Sequence, residues 1–327
     1  MNINKIKKDE SLVSINQELI DKWVPKKSLS EPLILSFCRL GLEERAKNVI
    51  NCGTFLEFAK YQNNDIKLHR ANFCRDRLCP LCSWRRSYKI FGQVSQIMNL
   101  ISDDYEFLFL TLTVRNCTSK DLNNKIDELQ KAWRRFSDYK RVKSILKGFF
   151  KALEITYNQT ADTYHPHYHV VLAVPKGYFN SRDYIQRDDW LDMWRKAMRD
   201  YSITQVDIRK AKNKRKDKDG EAASKKLASA VAEIAKYSVK SSDYLFKNDD
   251  ELTDKVVSVL ATALADRRLC NFGGCFSDAH RKLQLDDAED GDLIHVDGQL
   301  RSDVALQIYR FGWSAGAYKL ISVENKS

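Results

Sequence analysis

The apolar residues between positions 107 and 208 switch between two spacings, and few folds accept the order of elements that results. Phe107–Val114 (FLFLTLTV) is a short run of Phe, Leu and Thr, the composition of a strand. From Asp121 to Tyr139 the apolar residues Leu122, Ile126, Leu129, Trp133 and Phe136 recur every three or four positions, which predicts a helix with one buried face. Phe149–Tyr157 and His167–Val174 predict two more strands, joined by the polar segment NQTADTYHP. Asp183–Tyr201 predicts a helix, with Trp190, Trp194 and Met198 four apart, and Ile203–Ile208 predicts a fourth strand. A further helix is expected over Ala222–Tyr244. The succession β-α-β-β-α-β is the split βαβ pattern of an α+β fold, an antiparallel β-sheet with helices packed on one face. No internal repeat is visible.

Composition sets the context for this pattern. Residues 1–50 are polar, are broken by Pro25 and Pro32, and predict an N-terminal arm with short helices. Residues 51–100 form a cysteine-rich segment, 101–246 carry the strands and helices, and 247–327 form an acidic, mostly helical C-terminal region. The 327 residues include 55 Lys+Arg and 44 Asp+Glu, a net charge of +11. From Lys247 onward there are 10 basic and 14 acidic residues, so the preceding part holds 45 and 30. A basic body points to a polyanionic partner. Apolar residues at 43% exclude a disordered chain. The longest near-apolar run falls far short of the roughly 20 residues of a membrane helix. MNINKIKKDE lacks the apolar core of a signal peptide. The expectation is a soluble, cytoplasmic protein without membrane contact.

In a reducing compartment clustered cysteines point to a metal more than to a disulfide. Cys74, Cys79 and Cys82 lie in FCRDRLCPLCSWRR, and Cys52 lies upstream in NCGTF. The CPLC turn lets two thiolates reach one tetrahedral ion. Cys74 and Cys52 are the natural third and fourth ligands, with His69 as the substitute. Structural Zn²⁺ in a zinc-knuckle-like segment is expected, holding together a stretch poor in core residues. Arg75, Arg77, Arg85 and Arg86 flank it and are candidate DNA-binding residues through phosphate contact. The charged run at 209–226 (RKAKNKRKDKDGEAASKK) is expected to be a flexible loop with the same role.

A second ligand pattern sits on a strand. In Tyr164-His165-Pro166-His167-Tyr168-His169, positions 167 and 169 project to the same face, and two adjacent imidazoles suit a divalent metal with open positions. Pro166 cannot donate to a ladder, which predicts a strand start near His167 and leaves His165 off the strand. Glu154, on the preceding strand, is the expected third ligand.

The third pattern is AEIAKYSVKSSDYL. Glu233 and Tyr237 are four apart and Lys240 follows three later, so all three share a face if the segment is helical. A phenol with a pKa near 10 needs a metal or cation to become a nucleophile. Lys240 is placed to stabilise that oxyanion or a phosphate under attack, and Glu233 to act as a general base. Tyr244 is the competing nucleophile.

Three segments in this order, FLTLTV, HPHYHVVLAV and EIAKYSVKSSDY, resemble the three motifs of the plasmid rolling-circle replication initiators of the HUH endonuclease superfamily. KLHRANFCRDRLCPLCSWRRS and GGCFSDAHRKLQLDDAEDGDLIH resemble the branch found on plasmids of Gram-positive bacteria, so the likeness runs from about Cys52 to His295. The resemblance implies an RRM-like HUH sheet and an endonuclease domain at 101–246. His167 and His169 would be the metal pair for Mg²⁺ or Mn²⁺. Tyr237 would nick one strand of the plasmid origin, leaving a 5′-phosphotyrosyl ester and a 3′-hydroxyl primer, and Glu233 would stand where other branches carry a second tyrosine. Implied partners are single- and double-stranded origin DNA and host replication proteins such as a helicase. A homodimer is compatible with it. No GxxxxGK[ST] phosphate loop is present.

Three other readings compete. A relaxase typically places its tyrosine ahead of the histidines, whereas Tyr237 follows them. A transposase of the superfamily is usually shorter and lacks the cysteine segment. A non-enzymatic zinc-dependent DNA-binding regulator would keep its function without Tyr237.

Overall fold

The computed structural model describes residues 17, 19–211, 239–296 and 305–326. The chain divides into two compact units. One holds the residues up to Arg85 with Leu245–Ser258 and Asp292 onward; the other holds Arg86–Tyr244 and Val259–Gly291. Residues 247–327, which the charge pattern groups as one region, are therefore shared between both.

The first unit includes three short helices, α1 (Val24–Ser28), α2 (Ser30–Arg39) and α3 (Glu43–Asn51), followed by the hairpin β1 (Phe55–Lys60) and β2 (Ile66–Ala71). The last two strands, β8 (Gln307–Ser314) and β9 (Ala317–Asn325), return to pair with β1, in the order β2-β1-β8-β9. Tyr309 and Phe311 alternate with Arg310 and Gly312, the period of a half-buried strand. They stand opposite Phe58 and Leu56 and are buried with them. Trp23 closes the core against Phe58, Phe73 and Trp84, with ring centroids 5.9, 6.3 and 4.9 Å away. The expected mostly helical C-terminal region is thus corrected. Its strands, β7 (Cys270–Gly274) included, cover as many residues as its helices α8 (Asp250–Ala263) and α9 (Cys275–Lys282). Alternating aromatic residues in β8 outweigh the helical composition upstream.

In the second unit β3 (Tyr105–Leu112), α5 (Leu122–Asp138), the short α6 (Lys140–Ile145), β4 (Gly148–Asn158), β5 (Thr163–Pro175), α7 (Arg187–Met198) and β6 (Val206–Ala211) follow in order, and α4 (Pro80–Ile101) precedes them. The sheet is antiparallel throughout, in the order β6-β3-β5-β4-β7. β5 is the middle strand. Val170 to Val174 are all fully buried, which a strand covered on both faces requires and which reads as a continuous apolar run.

Directly opposed residues share a face, so the register assigns each side chain. Phe149, Leu172 and Leu108 form one face, and Trp133 of α5 packs on it, its ring 4.9 Å from Phe149. Phe107, Phe109, Val171 and Phe150 form the other, and Phe276 of α9 lies 6.1 Å from Phe107. Helices therefore cover both faces, not one. The reason is in β3 itself: FLFL is apolar at every position, and either face left bare would stay wet.

Two further expectations change. β6 begins at Val206 and includes Arg209–Ala211, so the first residues of the charged run belong to the sheet; residues 212–226 lie outside the described ones. β5 begins at Thr163, with His165 and Pro166 inside it. Tyr164 exchanges both backbone hydrogen bonds with Cys117 at 2.8 Å. Backbone polar groups alternate sides along a strand, so the nitrogen of Pro166 also faces that side, where the β3 ladder starts only at Tyr168. No bond is lost, and the proline is tolerated as at an edge.

Candidate metal centres and active site

The β4–β5 hairpin assembles the first cluster through register alone. Glu154 stands opposite His167, and His169 is two residues further along the same face, opposite Ala152. All three side chains are buried. His167 Nε2 and His169 Nε2 are 3.2 Å apart, and Glu154 Oε2 lies 2.6 Å from His169 Nε2 and 3.4 Å from His167 Nε2. His167 Nδ1 lies 3.1 Å from the carbonyl oxygen of His165. A ring nitrogen facing a carbonyl must be the protonated one, so His167 Nδ1 donates to that oxygen, which fixes the ring with Nε2 turned toward Glu154. Lys240 Nζ contacts the other carboxylate oxygen, Oε1, at 2.9 Å. Burial alone would raise the Glu154 carboxyl, but hydrogen bonds from His167, His169 and Lys240 outweigh it and hold the group well below the ordinary carboxylate range. An anionic oxygen and two imidazole nitrogens thus converge within 4.8 Å of one another, a donor set suited to one divalent ion with coordination positions left open.

The second cluster is all sulfur. Cys52 is the C-cap of α3, Cys74 follows β2, and Cys79 and Cys82 bracket the start of α4. Sulfur–sulfur distances are 3.5 Å for Cys52–Cys82, 3.6 Å for Cys52–Cys79 and 3.7 Å for Cys74–Cys82. A tetrahedral Zn²⁺ with Zn–S bonds of about 2.3 Å needs sulfur–sulfur edges of about 3.8 Å, so the residues fit that ion. The amide of Cys74 donates to Cys52 Sγ at 3.4 Å and that of Arg75 to Cys82 Sγ at 3.3 Å, the bonds that orient thiolate ligands. Pro80 opens α4, and the positive end of the helix favours the thiolates beside it. Gly53 after Cys52 is required: its φ is +65°, and a Cβ there would overlap Leu81.

The structure brings together Cys52, Cys74, Cys79 and Cys82 in one group and Glu154, His167, His169 and Lys240 in another. His69 stays on β2, 4.0 Å from Glu57 and away from the sulfurs. Lys240 does not sit on a helix face. Its backbone is extended (φ −82°, ψ 144°) and it precedes a short 3₁₀ turn over Ser241–Asp243, where serine and aspartate side chains compete with helix continuation. Glu233 and Tyr237 lie outside the described residues. Tyr244 is fully buried, which removes it as an accessible nucleophile.

The arginine assignments divide. Arg75 is exposed and Arg77 half-buried. Arg85 is buried, donates to the carbonyls of Leu293 and Ile294 at 2.9 and 2.8 Å, and lies over the rings of Trp23 and Trp84. Arg86 is buried and donates to the carbonyl of Glu289 at 3.0 Å. Both are corrected from phosphate contacts to structural cations, because they are buried and donate to backbone carbonyls of the acidic segment DDAEDGD and its flank.

Two residues near the clusters went unnoticed in sequence. Lys27 is buried and donates to the carbonyls of Ile50 and Val49 at 2.8 and 3.3 Å, at the negative end of α3 beside Cys52. Burial lowers its pKa and the four cysteines raise it, Cys52 most. Nothing in PKKSL distinguishes it from its exposed neighbours. Asp243 follows Lys240 on the 3₁₀ turn, and burial pushes its carboxyl up, with Lys240 acting against it and Glu154 adding to it. An acid three residues after Lys240 was the available signal.

A two-unit α+β protein with one all-sulfur and one imidazole–carboxylate ligand set is the class these features define. Residues 65–319 match the family model described as Replication protein. "Protein rep" of Bacillus sp is 41% identical over 266 residues, covering 77% of this chain and 85% of that protein. "Protein rep" of Streptococcus pneumoniae serotype 2 is 35% identical, covering 88% of each chain, and "Protein rep" of Staphylococcus aureus is 36% identical, covering 71% of this chain and 98% of its own length. No solved structure matches. The chain belongs to this family, the plasmid replication (Rep) proteins. No helix among the described residues is long and apolar enough to cross a membrane.

Proposed function

We propose that the protein initiates rolling-circle replication by nicking one strand of its plasmid origin and rejoining it at the end of the round. The observation that carries this reading is the convergence of His167, His169 and Glu154 on one sheet face, with Lys240 reaching the same carboxylate. Lys240 is three residues beyond Tyr237 in sequence. The order β3-α5-β4-β5-α7-β6 with sheet order β6-β3-β5-β4 supports an RRM-like HUH sheet, and residues 101–246 are the proposed endonuclease domain.

Tyr237 Oη attacks the scissile phosphorus. The bond to the 3′-oxygen breaks, the 5′-phosphate stays on the tyrosine, and the 3′-oxygen, taking up a proton in place of the one the phenol gives up, leaves as a hydroxyl that primes synthesis. Lys240 offsets the charge of the phosphate under attack. At the end of the round Glu233 deprotonates a water that attacks the regenerated origin junction; the bond to its 3′-oxygen breaks, and the freed 3′-hydroxyl attacks the phosphotyrosyl ester, rejoining the strand and releasing Tyr237. A divalent ion, Mg²⁺ or Mn²⁺, held by His167, His169 and Glu154 would polarise the phosphate. Zn²⁺ in the four-cysteine set is the proposed structural ion. Exposed Arg75 and half-buried Arg77 remain proposed phosphate contacts. Origin DNA, a host helicase and a second copy are the proposed partners, in the cytoplasm.

Tyr237→Phe should bind supercoiled origin DNA and not nick it, with or without added Mn²⁺. A covalent 5′-linked adduct on that variant overturns the nucleophile assignment. Glu233→Ala should nick and terminate poorly; normal release of single-stranded circles by it removes the base assignment.

A further inference from the structure

The FLTLTV segment has no part in this chemistry, yet it lies on β3 against the histidine strand. Thr111 stands directly opposite His169 and so shares its face. Thr111 Oγ1 lies 3.4 Å from His169 Nδ1. For His167 the corresponding nitrogen is fixed by its own chain, through the carbonyl of His165. His169 has a neighbouring strand instead. An imidazole that offers Nε2 to a metal must carry its proton on Nδ1, and in a buried position such as that of His169 that N–H needs an acceptor. Thr113, two residues on, spends its hydroxyl on the carbonyl of Gln205 at 2.9 Å.

We infer that Thr111 is a positioning residue: its hydroxyl accepts from Nδ1 of His169 and holds the ring with Nε2 turned to Glu154. The inference rests on the metal reading proposed above for His167, His169 and Glu154. The register explains why a hydroxyl at this point of the first segment matters. Thr111 lies across from the imidazole in a ladder of fixed spacing, so its Oγ1 reaches the ring without a flexible side chain. A valine keeps the shape and β preference and loses only the acceptor; a serine keeps the acceptor.

The test is Mn²⁺ titration of the full-length, zinc-loaded protein, followed by the electron paramagnetic resonance of free Mn²⁺. Outer-shell partners of ligating histidines are typically worth 10–100-fold in metal affinity. Thr111→Val should weaken binding on the order of 10-fold with an unchanged melting temperature, while Thr111→Ser stays within about 3-fold of the parent. Parent-like binding by Thr111→Val, or equal losses in both variants, overturns the inference. His169→Ala separates the two readings. If it abolishes binding and Thr111→Val does not, only the role of Thr111 falls. If Mn²⁺ binding survives in His169→Ala, or the parent binds none, the metal reading falls and Thr111 with it.

Discussion

Four donors of one kind meet at Cys52, Cys74, Cys79 and Cys82, whereas three of two kinds meet at Glu154, His167 and His169. The first set closes a tetrahedron and leaves no position for another molecule, the pattern of a structural ion. The second leaves positions open and holds a cation, Lys240, on the carboxylate. Their supports differ as well. The sulfurs come from a helix end, a strand end and a helix start, three separate segments of the chain. The imidazoles and the carboxylate lie on paired strands of a sheet that is already buried on both faces. Where the ligands tie loose segments, the metal should hold the fold; where the sheet supplies the geometry, the metal should serve chemistry.

This contrast can be broken by substitution. Cys79→Ala should have the largest effect, removing a ligand from a site whose binding free energy is on the order of 10 kcal/mol; zinc content and melting temperature should both collapse. His167→Ala should do the opposite, keeping the melting temperature within a few degrees while nicking falls about 100-fold or more, since a metal Lewis acid supplies several kcal/mol to the transition state. A large melting shift in His167→Ala, or a small one in Cys79→Ala, would reverse the assignment of the two sites. Lys27→Met should cost about 2–3 kcal/mol, the worth of a buried charged donor to its acceptors, and speed zinc loss to a chelator.

Glu154 sharpens the contrast through pH. Its carboxyl is held below its ordinary value of 4.5, so its contribution to stability is present above that value and is lost as the pH falls below it. Without added divalent metal, the parent should lose melting temperature from pH 5 to pH 3 more steeply than Glu154→Gln. Arg75→Ala should change least, within about 0.5 kcal/mol. The backbone amide of Arg75 that donates to Cys82 Sγ is kept in this variant, so zinc retention should stay as it is.

Much of the second unit was legible because periodicity carries it. The spacing of Leu122, Ile126, Leu129, Trp133 and Phe136 gives α5, and the HxH spacing with a hairpin puts Glu154 beside both imidazoles. The four cysteines of the sulfur set were also legible, since ligand chemistry shows in composition. What stayed hidden depends on partners far away in sequence. Arg85 and Arg86 look like a phosphate-binding pair until the chain near Leu293 and Glu289 returns to take their donors. The pairing of β8 with β1 joins residues some 250 positions apart, and no local pattern marks it. Pro166 misled because the rule against proline in strands is a rule about hydrogen bonds, and this nitrogen faces a side with no ladder.

The register of β4 against β5 has a consequence for how the protein is made. Opposed residues share a face, so slipping one strand by a single residue would turn Glu154 to the face where α5 packs, leaving two imidazoles without their acid and a carboxylate among aromatic rings. A chain paired wrongly here would therefore both lack the site and carry a buried unpaired charge, so the acid that serves the chemistry also selects, during folding, the one alignment in which that chemistry exists.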